Sequence, residues 1–163
     1  MAAATIIESL AETAAGTPLG EALVGRAAII DMSQRAHDAV LRPCDPGGLS
    51  YLERAAVAER MARHHGDARL AAHYASLLGE AAPEAVADLR DPRRLPAEAR
   101  AAAIARHADL LTLAPRDATR ASIDALRDAG VSEPDIVRLS ELAAFVNYQA
   151  RVIAGLRALQ GAA

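Results

Sequence analysis

Apolar residues recur at helical spacing along nearly the whole chain, and the interruptions fall at proline, glycine and capping residues. Ile6, Ile7 and Leu10 mark a short first helix over 3–15, stopped by Gly16. Thr17 and Pro18 restart the chain as N-cap and first helical residue. A second helix then runs to about Arg42, with Leu19, Leu23, Ala27, Ile30, Ala36 and Val40 on its apolar face. Pro43, Pro46, Gly47 and Gly48 force a loop. Ser50 and Glu53 have the spacing of a capping box, and Leu52, Ala56, Val57, Met61 and His64 follow at helical intervals. Gly66 breaks that helix, and Leu70, His73, Tyr74, Leu77 and Leu78 pattern the next over 68–78.

Pro83 opens a short helix, and residues 91–96 form a polar connector bounded by two prolines. Ile104, His107, Leu110 and Leu111 mark a helix over 96–113. Another spans 116–129 and is stopped by Gly130 in the position after the helix end. Ser132 to Asp135 cap the last and longest helix, which reaches about Leu159. Its apolar positions are Ile136, Leu139, Leu142, Ala143, Phe145, Val146, Ile153, Leu156 and Leu159, a face too broad for one-sided burial. The pattern predicts an all-α single domain over 1–163, with N-terminal helices in 1–45. It also predicts a homo-oligomer formed through the C-terminal helix.

Composition sharpens this picture. Alanine is abundant, and aromatics are 2% of the chain, one Phe and three Tyr, so strand formers are scarce. All 18 basic residues are arginine, interleaved with 21 acidic ones for a net charge of −3. No basic stripe or aromatic platform suggests nucleic-acid binding. One cysteine, Cys44, permits neither an internal disulfide nor a cysteine-rich zinc site. Met1 to Thr5 lack a basic leader and no apolar run is long enough for a membrane span, so a cytoplasmic protein without membrane contact is expected. No cofactor or metal is expected.

The chemically densest stretch holds Glu53, Glu59, His64, His65, Asp67 and His73. Zinc-site spacing is absent, and neighbouring His64 and His65 point about 100° apart on a helix. Two readings remain. Glu59 or Glu53 approaches His73 across an antiparallel helix pair and works with it as acid and base. Alternatively, Glu53 only caps, Glu59 faces solvent and His73 is a satisfied, partly buried histidine. Cys44 lacks the positive surroundings that make a reactive thiolate. Asn147, set among alanines of the last helix, reads as a structural amide bonded to a loop or neighbouring helix.

Two blocks resemble the alkylhydroperoxidase D-like, or carboxymuconolactone decarboxylase, superfamily. Residues 49–58, with Leu49, Ser50 and Glu53, then His65-Gly66-Asp67 and His73, are similar to that family's L-S-x-x-E run, its N-G-C-x-x-C segment and its histidine. Residues 125–137 and 144–151 are similar to its A-G-L-S-D-E-E-I and F-F-N-x-x-N-R stretches; Asn147 and Arg151 match, and Ala150 replaces the second asparagine. The region covers about 49–160. Asp67 and Leu70 stand where the cysteines belong, or Gly66 and Arg69 one residue earlier. The dithiol of the peroxidase branch is therefore missing.

The resemblance implies an alkylhydroperoxidase D-like helical bundle that assembles as a homo-oligomer. It implies a carboxymuconolactone decarboxylase-like, peroxidase-related protein doing acid–base chemistry on a small anionic substrate. His73, Glu59 and Glu53 are its candidate catalytic residues, with Arg54 or Arg60 holding the anion. The alternative is a non-catalytic helical oligomer that binds a small molecule or a partner protein.

Overall fold

A computed structural model describes residues 4–13, 16–79 and 86–161, and every described element is helical. The order is α1 (Ile6–Ala11), α2 (Pro18–Val24), α3 (Ala27–Leu41), α4 (Tyr51–His64), α5 (Ala68–Ser76), α6 (Ala87–Arg90), α7 (Ala99–Leu113), α8 (Arg120–Asp128) and α9 (Glu133–Gly161). A 3-10 turn, Pro115–Asp117, joins α7 to α8. One hydrophobic cluster runs from Ile7 to Ile153. Pro83, the expected start of the helix before the 91–96 connector, lies outside the described residues; the described part of that segment carries α6.

Local chemistry explains most of the boundaries. Ser50 accepts from the Glu53 amide while Glu53 accepts from the Ser50 amide, the reciprocal box expected at the start of α4. Gly66 takes φ +71°, a left-handed turn that suits glycine, and lets α5 fold back on α4. The single helix expected from Pro18 to Arg42 is two: the chain breaks at Gly25 and Arg26, and α3 begins at Ala27. The helix expected from Pro96 starts at Ala99, because the Glu98 carboxylate accepts from the amides of Arg100 and Ala101. Its successor starts at Arg120 rather than 116, behind a Thr119–Ser122 capping pair.

α4 and α9 form the centre. Nine consecutive residues of α4, Arg54 to Ala62, are buried, with α3, α5, α6, α7 and α9 packed around the helix. α9 packs against α1, α2, α3, α4, α7 and α8. The breadth of its apolar surface is thus explained within one chain, by burial on several sides.

The three charges buried on α4 are each held by hydrogen bonds. Arg54 donates to the carbonyls of Leu49, Val40 and Pro46 at 2.8–3.0 Å, pinning the α3–α4 loop to the helix beneath it. Asp135 of α9 holds the same loop, accepting from the Gly48 amide at 3.0 Å. Arg60 donates from Nε and Nη2 to both oxygens of Asp109 on α7 at 2.6 Å, and from Nη1 to the carbonyls of Asp91 and Arg94. His64 joins at Asp109 Oδ1, 2.7 Å away. Glu59 accepts from Arg63 and Arg90, tying α4 to α6.

This pairing predicts an asymmetric response to mutation. Asp109→Ala strands the buried Arg60 guanidinium without its counter-ion and should cost about 3–5 kcal/mol in urea unfolding, whereas Arg60→Met with Asp109→Leu should recover most of that loss. A cost below about 1 kcal/mol for Asp109→Ala would mean the pair behaves as a surface salt bridge.

Candidate functional site

The most reactive arrangement lies between α3 and α5. His73 is half-buried, and its Nε2 lies 2.9 Å from Nε2 of His37, which is buried. His37 Nδ1 in turn lies 3.1 Å from Oδ1 of Asp38. A carboxylate only accepts, so His37 carries its proton on Nδ1 and presents a bare Nε2. His73 then donates from Nε2, leaving its lone pair on Nδ1. Among the described residues that nitrogen has no partner, and it is not sealed from solvent. Burial, and after it the neighbouring His37, lower the pKa of His73 to about 4. The ring is therefore neutral at neutral pH, with a free lone pair on Nδ1.

Aromatic packing fixes these rings. The Tyr74 ring lies nearly parallel to His37 at 6.3 Å, and Phe145 of α9 meets His37 edge-on at 6.1 Å. The buried Tyr74 hydroxyl donates to Gln149 Oε1 at 2.5 Å, and burial holds its phenol well above the ordinary range. Ser33 gives its proton to the Ile29 carbonyl, so the Tyr148 hydroxyl donates to Ser33 at 2.8 Å. Asp38 also accepts from Gln34, whose own carbonyl takes the Ile6 amide. Helices α1, α3, α5 and α9 all contribute to positioning.

The carboxylates expected beside His73 lie elsewhere. Glu59 is 1% exposed, so it faces neither solvent nor His73; Arg63 and Arg90 take its oxygens, on the side of α4 turned to α6. Glu53 stays at the start of α4, in its capping box and paired with Arg100. Arg54 and Arg60, expected to grip an anion, are buried and committed to carbonyls and Asp109. The partner of His73 is another imidazole, and sequence reading missed it. His37 continues a buried stripe of Ile30, Ser33, His37 and Leu41 at spacings of three and four, in which the polar members do not register as core.

Of the two pairs that the sequence aligned with the cysteines, Asp67–Leu70 and Gly66–Arg69, the first is structural: Asp67 and Leu70 hold α5 in place. Asp67 caps α5, accepting from the Arg69 and Leu70 amides, and also binds Arg157; Leu70 is in the core. Cys44 is a free, exposed thiol in the α3–α4 loop. Asn147 is structural as expected: its carbonyl accepts from His65 Nε2 at 2.8 Å and its amide donates to the Leu111 carbonyl at 3.0 Å. No three metal-ligating side chains converge among the described residues. No described helix is long and apolar enough to cross a membrane.

No family model and no curated protein sequence matches the chain. Among solved structures it is similar to an uncharacterized peroxidase-related protein from Silicibacter sp. TM1040. The two share 21% identity and a TM-score of 0.65 over 79% of this chain and 68% of that one. At that identity the likeness establishes the fold: the chain has the all-helical fold of a peroxidase-related protein.

Proposed function

We propose that this is a carboxymuconolactone decarboxylase-like protein that has lost dithiol peroxide reduction and does acid–base chemistry at His73. The observation that carries this reading is the Asp38–His37–His73 chain, which leaves one unpaired, half-buried basic nitrogen on a neutral imidazole. Such a lone pair is offered to a bound substrate in the one tautomer that His37 and Asp38 impose, and it takes up a proton against the opposition of burial and His37. Glu59 and Glu53 take no part, because arginines already hold them. The half-exposed hydrophobes Ile29 and Met32 of α3 and Tyr148 of α9 flank this centre, and we propose that a second copy of the chain covers them. A non-catalytic scaffold is the second reading, favoured by the complete pairing of α4's charges.

Alkyl hydroperoxide with a dithiol reductant should be turned over no faster by the wild type than by Cys44→Ala. Turnover of a carboxylated lactone panel, followed by carbon dioxide release, should fall about 10²–10⁴-fold in His73→Asn and be unchanged in Cys44→Ala. Equal turnover by His73→Asn and wild type would leave only the scaffold. In light scattering the wild type should exceed monomer mass and Met32→Arg should not; a monomeric wild type at micromolar concentration removes the second copy.

A further inference from the structure

A cleft of about 640 Å³ opens between α7, α8 and α9, and neither His37 nor His73 lines it. Its walls are apolar: Leu111 from α7, Pro115 from the 3-10 turn, Ile123 from α8 and Ala144 from α9. Its charge is one-sided. In a chain with more acidic than basic residues, no Asp or Glu lines this cleft, whereas Arg151 does, as does Arg120, which pairs with Asp124 3.9 Å away. Arg151 is exposed and has no hydrogen bond or ion pair among the described residues, unlike Arg157 one turn and a half further on, which binds Asp67. The amino end of α8 also borders the cleft, where Thr119 and Ser122 cap one another and no acidic side chain stands in the first turn.

A second observation comes from the cleft wall. His107 is 4% exposed, and its ring borders both this cleft and a neighbouring one of about 690 Å³. Its Nδ1 is buried without a partner. Its Nε2 is 3.4 Å from Ser140 Oγ, whose proton goes to the Ile136 carbonyl. Buried ring nitrogens are ordinarily satisfied; this one is sealed behind the cleft wall, so the unpaired charge that the cleft itself presents is Arg151.

We propose that this cleft binds a small organic acid, its carboxylate held by Arg151 and its apolar body between Leu111, Ile123 and Ala144. A guanidinium receives a carboxylate through two parallel hydrogen bonds, and the apolar walls exclude inorganic anions in favour of ones with a hydrocarbon or aryl body. The site is independent of His73 and stands whether or not that residue is catalytic. Sodium benzoate and its neutral isostere benzamide are the probes, titrated into the full chain and followed by amide NMR. Benzoate should shift the Ser122, Ala144 and Arg151 amides saturably. Benzamide, and benzoate with Arg151→Gln, should bind about tenfold weaker or less. Ala144→Trp should block binding while His73→Asn leaves it intact. Shifts centred elsewhere, no saturation at millimolar benzoate, equal binding of benzamide, or an unaffected Arg151→Gln would each overturn the proposal.

Discussion

Burying charge inside a helical bundle is tolerable only when each charge meets its partners, and α4 carries three such charges. Arg54, Glu59 and Arg60 sit within a run of nine buried residues, each at most 2% exposed. Moving a guanidinium or carboxylate out of water costs several kcal/mol unless good geometry and additional hydrogen bonds compensate. The surrounding structure supplies those partners. The α3–α4 loop turns its carbonyls to Arg54, α7 presents Asp109 to Arg60, and α6 brings Arg90 to Glu59. The irregular parts of the chain are thereby placed by α4, and the hydrophobic core closes around a helix that is charged at its middle.

That constraint decides which residues are free for chemistry. A carboxylate already accepting from two arginines makes a poor base, and an arginine buried against backbone carbonyls is not presented to a substrate. Asp67 and Leu70 are likewise committed, one as a helix cap and the other in the core. What remains uncommitted is the imidazole pair of α3 and α5. His73 there is neutral because burial and His37 disfavour its charged form.

Much of the fold was legible in the sequence, and the exceptions share a cause. Caps and stops such as Ser50, Gly66 and Gly130 act through neighbouring backbone and were read correctly from spacing. The break at Gly25 was not, because apolar periodicity continues on both sides of it and Gly25 itself keeps an ordinary right-handed conformation. The site failed to read for a different reason. His37, Arg54 and Arg60 are polar residues on buried faces, and a search for apolar periodicity passes over them. His73 was legible; its partner, 36 residues away on another helix, depends on how α3 and α5 pack.

The central claim is that His73 is a neutral base, its Nε2–H given to His37 and its Nδ1 lone pair free. Nitrogen chemical shifts of the two imidazoles in ¹⁵N-labelled protein, followed from neutral pH downwards, read this directly. The account predicts a protonated Nε2 and bare Nδ1 on His73, the opposite tautomer on His37, and no protonation of His73 until the pH nears about 4. A His73 that carries its proton on Nδ1, or that titrates near the ordinary histidine value of about 6.5, would contradict it.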